Sequence, residues 1–95
     1  MTENDLLSKV KHIHFIGIGG SGMCPIAEIL FHQGYTVTGS DMSESETLKR
    51  IRSSGMDVTV GHDPKNVEGA ELVVYTAAAK QDNPEIVAAN AKGIP

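Results

Sequence analysis

The run Gly17-Ile18-Gly19-Gly20-Ser21-Gly22 joins an apolar, β-branched segment to a series of apolar residues at helical spacing, and it constrains the fold more than any other feature. Residues His12–Ile18 (HIHFIGI) read as a strand that ends in glycines. Met23, Ile26, Ala27 and Leu30 then mark one face of a helix closed at Gly34. Pro25 fits its first turn, where backbone N–H groups have no intrahelical partner. Strand, G-x-G-x-x-G turn and helix in that order open a βαβ unit. Glycines let such a turn come within hydrogen-bonding distance of phosphate oxygens, and the helix behind it offers free N–H donors and the positive end of its dipole. A tight turn that binds nothing is the bland alternative. In this context phosphate binding is the better reading, with Gly19, Gly20, Ser21, Gly22 and Met23 as its candidates.

The rest of the chain continues the alternation. Strands are expected over Tyr35–Ser40, Asp57–Val60 and Leu72–Thr76, and helices over Met23–Gln33, Glu44–Ser53 and Pro84–Lys92. Ser43 and Glu46 have the spacing of a capping box, while Pro84 and Gly93 suit the first position and the stop of the last helix. Leu72–Thr76 is a continuous apolar run, as for a strand covered on both faces. The expected class is α/β: a Rossmann-like parallel sheet in the order 3-2-1-4, with helices on both faces. Residues 1–11 read as a flexible polar leader and 12–95 as one domain, incomplete at its C-terminus. A fifth strand is due after Gly93, and without it strand four is an open edge through which the chain could self-associate.

Composition narrows the partners. Eight Lys and Arg against twelve Asp and Glu, a net charge of −4, offer no basic surface for nucleic acid or an anionic membrane. No apolar run reaches membrane-spanning length, and the leader is too polar for a signal peptide. A single cysteine, Cys24, cannot form an internal disulfide and suits a reducing cytoplasm. It reads as a small packed residue, although its place near a helix N-terminus could lower a thiol pKa.

Asp41 ends the second strand roughly twenty residues after the glycine loop, where such folds set a carboxylate against ribose hydroxyls. A cap or turn role is the alternative, and Ser40 beside it is a weaker candidate. His62 follows the third strand at the carboxyl edge of the sheet, where ligands of open α/β sheets bind. His12 and His14 share one face of the first strand and read as surface residues, as does His32 on its helix. The four histidines lack zinc-site spacing, so no metal site is expected. There is no G-x-x-x-x-G-K-[ST] loop and no hydrolytic constellation, hence no catalytic residue is assigned.

HFIGIGGSGM with PIAEIL, Gly39-Ser40-Asp41, Ser45-Glu46, Gly61-His62, and Asp82-Asn83-Pro84-Glu85 closing on Gly93-Ile94-Pro95 together resemble the opening of the muramyl ligases, in particular the branch that adds L-alanine. The chain departs from that pattern at Cys24, often Ser, and at Thr76-Ala77, often Ser-Ser. The resemblance implies a three-domain cytoplasmic enzyme of peptidoglycan synthesis that joins L-alanine to UDP-N-acetylmuramate with ATP and Mg²⁺. It implies that this part holds the UDP moiety, with diphosphate on Gly19–Gly22 and ribose or uracil near Asp41, His62 and Thr76, and that the ATP and amino-acid sites lie in later domains. On that footing the chain alone has no ligase activity. The runner-up is an NAD-binding domain of an oxidoreductase or regulatory protein, since both functions use the same phosphate geometry.

Overall fold

The computed structural model describes residues 10–76 and 79–95. The leader, apart from its last two residues, and position 77 lie outside the described residues. The strands are β1 (His12–Ile16), β2 (Thr36–Asp41), β3 (Asp57–Val60) and β4 (Leu72–Val74), and the helices are α1 (Met23–His32), α2 (Glu46–Ser53) and α3 (Pro84–Lys92). A short 3₁₀ turn, Pro64–Val67, follows β3. All neighbouring strands are parallel and their order is β3-β2-β1-β4, as the alternation of elements predicts.

Side chains alternate across a strand, so β1 supplies two different faces. Ile13 and Phe15 join Val37, Val58, Ala27, Leu48 and Ile51 in a core beneath α1 and α2. On the opposite face Ile16 packs with Val67, Val73, Ile86 and Ala89 beneath the 3₁₀ turn and α3. Fully burying one such aliphatic or aromatic side chain contributes about 1.5–3 kcal/mol. The second core is smaller because β1 and β2 also present His14, Thr38 and Ser40 there, in register pairs His14↔Thr38 and Ile16↔Ser40.

Several boundaries differ from the sequence reading. β1 stops at Ile16 because Gly17 takes φ +80, a conformation that favours glycine, and Gly17 N and Ile18 N both donate to Ser40 O. β4 is only Leu72–Val74, and Tyr75 and Thr76 are exposed. The helix expected from Glu44 starts at Glu46, and its cap is Ser45, whose side chain accepts from Leu48 N at 3.2 Å. Ser43 is not the cap. Glu44 is drawn instead into a two-pronged pair with Arg52, both contacts at 2.9 Å. The last helix keeps its expected limits, with Asn83 accepting from Glu85 N at 2.8 Å and Gly93 left-handed at φ 72. Beyond it, Pro95 O accepts from Val73 N at 3.0 Å, so the end of the chain runs back against the outer edge of β4.

One glycine is fixed by packing. A Cβ on Gly39 would lie 2.5 Å from Ile18 Cδ1 and 2.8 Å from Ile18 Cβ, inside the core that positions the glycine loop. Gly39→Ala is therefore expected to lower unfolding free energy by about 1–3 kcal/mol, the range for overpacking. Urea denaturation checks this, and unchanged stability would contradict the packing.

Candidate functional site

The first four backbone donors of the glycine loop are taken up by the protein itself, Gly17 N and Ile18 N by Ser40 O. Gly20 N donates to Gly17 O, while Met23 N and Cys24 N both donate to Gly20 O, at 3.0–3.1 Å. Gly19 N donates to Asp41 Oδ2 at 2.9 Å, and Asp41 Oδ1 accepts from Met42 N at 2.8 Å. A Cβ on Gly19 would come 2.8 Å from that same Asp41 oxygen. Asp41 thus braces the loop. The N–H groups of Ser21 and Gly22 are left without an acceptor among the described residues. Gly22, the N-cap of α1, has φ −88, makes no side-chain cap bond and has nothing within 4 Å of a Cβ. The fold itself does not require glycine there; close approach of an anion would.

The loops after all four strands open on one edge. They enclose a cleft of about 480 Å³ whose walls include Gly17, Gly20, Asp41, His62, Thr76 and Lys80. Ligands of open α/β sheets bind at this carboxyl edge. Gly20, Asp41, His62 and Thr76, all candidates from the sequence, are brought together here. Ser21 and Gly22 are exposed at the loop tip, whereas the Met23 side chain is buried in the core below it. Ser40 is fully buried and faces the cleft only through other groups. Lys80, the lysine of the cleft wall, had no signal in the sequence beyond its place in a turn.

Beneath the cleft lies a buried polar network that the sequence reading missed. Glu85, in the first turn of α3, has 0% exposure. Its Oε1 accepts from His14 Nε2 at 2.7 Å and Ser40 Oγ at 2.8 Å. Its Oε2 accepts from Asn66 Nδ2 at 2.7 Å and Asp63 N at 3.2 Å, and lies 3.4 Å from His62 Nδ1. His14 Nδ1 and His12 Nε2 both meet Thr38 Oγ1 at 2.8 Å. His12 and His14 are therefore not surface residues: His14 is 1% exposed and His12 half-buried, because β2 and α3 bring polar partners over that face. Burial alone would push the Glu85 carboxyl up, but hydrogen bonds from His14, Asn66 and Ser40 outweigh it and hold the pKa at about 2.

Cys24 is a packed residue. It is buried, and burial pushes its thiol up despite the guanidinium of Arg50 at 3.0 Å.

Residues 12–95 match the family model described as Mur ligase family, catalytic domain. The chain belongs to the Mur ligase family. Among proteins similar to this Mur ligase chain, the UDP-N-acetylmuramate–L-alanine ligase of Persephonella marina is 60% identical over 87 residues, 92% of this chain and 19% of that protein. The enzyme of the same name from Sulfurihydrogenibium sp. is 56% identical over the same shares. Of solved structures, the UDP-N-acetylmuramate-alanine ligase of Thermotoga maritima superposes with TM-score 0.85 at 40% identity, over 88% of this chain and 20% of that one. The UDP-N-acetylmuramate:L-alanyl-gamma-D-glutamyl-meso-diaminopimelate ligase of Neisseria meningitides gives 0.81 at 31%, over 90% and 28%. The chain thus spans about a fifth of the curated relatives named here. No helix among the described residues is long and apolar enough to cross a membrane. Family membership, rather than the glycine loop, separates this chain from the oxidoreductases.

The Glu85 network carries a pH dependence. A carboxyl held at about 2, below its ordinary 4.5, adds stability that is present above 4.5 and is lost as pH falls through 2. Urea midpoints should drop across that window, and Glu85→Gln, less stable at neutral pH, should drop less. Parallel acid profiles for the two proteins would contradict the assignment.

Proposed function

We propose that this chain holds the UDP end of UDP-N-acetylmuramate within a ligase that joins L-alanine to that substrate at the expense of ATP. The observation that carries the reading is a glycine loop with two unspent N–H groups, Ser21 and Gly22, whose Gly17 and Gly20 line one cleft with Asp41, His62 and Thr76. The loop and the start of α1 suit a diphosphate, because backbone donors and the helix dipole both favour anionic oxygens. Asp41, His62 and Thr76 are then left for ribose and uracil. The family and the names of its relatives supply the substrate, since phosphate geometry alone does not tell UDP from NAD.

ATP, Mg²⁺ and L-alanine belong, on this reading, to the parts of the enzyme that the relatives have in addition. No G-x-x-x-x-G-K-[ST] loop occurs in these 95 residues. The purified chain is accordingly expected to show neither ligase nor ATPase activity.

Binding is testable on the chain as it stands. UDP titrated into ¹⁵N-labelled protein should shift the amides of Gly19–Met23 most, and NAD should shift them less. Gly22→Ala should keep stability within about 1 kcal/mol, because its Cβ points into open space, yet weaken UDP binding about tenfold or more. Asp41→Ala should cost a few-fold to tens-fold in affinity, about 1–2 kcal/mol for one hydrogen-bonding carboxylate. Shifts from NAD equal to those from UDP, or full UDP affinity in Gly22→Ala, would overturn the reading.

A further inference from the structure

We propose that Glu85 is a positioning residue: together with Ser40 it holds His62 as the Nδ1–H tautomer, so that Nε2 offers the cleft a lone pair and takes a donor group of the nucleoside. The inference rests on the reading of the cleft as a UDP site and deepens it.

The argument is donor bookkeeping. Ser40 Oγ gives its only proton to Glu85 Oε1 at 2.8 Å and meets His62 Nδ1 at 3.1 Å, where its oxygen can only accept. The other neighbour of Nδ1 is Glu85 Oε2, a carboxylate oxygen at 3.4 Å. Both neighbours of Nδ1 are acceptors, so Nδ1 carries the proton. In a neutral imidazole the proton on one nitrogen leaves the other as an acceptor. Nε2 of His62 has no hydrogen-bond partner among the described residues, and the ring, 20% exposed, lines the cleft.

Glu85 also fixes where the ring sits. Its carboxylate binds Asp63 N and the Asn66 amide, and Asn66 Nδ2 reaches Gly61 O at 3.3 Å, so the segment on both sides of His62 is tied to α3. The other end of the network, His14 and Thr38, anchors the same carboxylate to β1 and β2. With every imidazole neutral the donors run one way: His12 Nε2–H to Thr38, the Thr38 hydroxyl to His14 Nδ1, and His14 Nε2–H to Glu85. No buried side-chain polar atom among the described residues is left without a partner.

An acceptor at Nε2 selects for chemistry. It can take the imide N–H of uracil or a ribose hydroxyl, and it repels a bare ring nitrogen or a phosphate oxygen.

The decisive measurement needs no variant. Two-bond ¹H–¹⁵N imidazole spectra of the labelled chain, at a pH where the ring is neutral, should show His62 protonated at Nδ1 and bare at Nε2. Free histidine prefers the opposite tautomer, so an Nε2–H signal for His62 would overturn the role of Glu85. In Glu85→Gln, where the amide can present either N–H or C=O, the Nδ1–H population should fall while the fold is followed separately by amide spectra. His62→Ala should weaken UDP binding about tenfold, and unchanged affinity would instead overturn the nucleoside role of His62. Repeating that comparison with 2′-deoxy-UDP and N3-methyl-UDP separates sugar from base: the analogue that binds both proteins alike lacks the donor that Nε2 takes. 3′-deoxy-UDP tests the remaining ribose hydroxyl in the same way, and if none of the three analogues binds both proteins alike, the acceptor role is wrong.

Discussion

A carboxylate taken out of water costs several kcal/mol unless donors surround it, and Glu85 meets that condition by drawing on two strands and the segment that follows a third. Its hydrogen bonds reach β1 through His14, β2 through Ser40, and the segment after β3 through Asp63 and Asn66, while the residue itself begins α3. β1 and β2 are thereby tied to that helix by a polar contact beside the apolar one that Ile16 makes with Ile86 and Ala89. Apolar packing is tolerant of small shifts, whereas a donor set this dense accepts one arrangement. That is the property a ligand edge needs, and the cleft lies directly above it.

The opposite face of the sheet works differently. Ile13, Phe15, Val37, Leu48 and Ile51 form an ordinary apolar core, and its tight spot, Gly39 against Ile18, sets the seat of the glycine loop. The loop is then braced from the next strand by Asp41, which accepts from Gly19 N. Steric packing from below and one carboxylate from the side hold the loop, while Ser21 and Gly22 at the start of α1 stay exposed with N–H groups that meet no acceptor among the described residues. On the proposed reading these groups form an anion site that is held in place before any ligand arrives, which lowers the ordering cost of binding.

Much of this was legible from local pattern. The glycine loop, the alternation of strand and helix, and Pro84 and Gly93 at the ends of the last helix each rest on a few adjacent residues, and the sheet order follows from them. Asp41, His62 and Thr76 could be placed at the cleft because the ends of parallel strands share one edge. The Glu85 network could not be read this way. Glu85 and His14 are 71 positions apart, and an acid in a first helical turn already has a sufficient local reason in the helix dipole. His14 sits in a strand whose apolar neighbours, Ile13 and Phe15, account for the core on their own. The cap of α2 was misplaced for a related reason: Ser43 and Glu46 have capping-box spacing, but the tertiary pair of Glu44 with Arg52 and the extended backbone of Ser45 moved the start of the helix.

The central claim is that the carboxyl edge of this sheet takes the UDP moiety, seated on the glycine loop and held over the Glu85 network. A crystal structure of the chain grown with UDP tests it most directly. The account predicts diphosphate oxygens within hydrogen-bonding distance of Ser21 N and Gly22 N, with the nucleoside against Asp41 and His62 and the Glu85 contacts unchanged. Diphosphate seated away from the glycine loop, or a nucleoside on another face of the sheet, would contradict it.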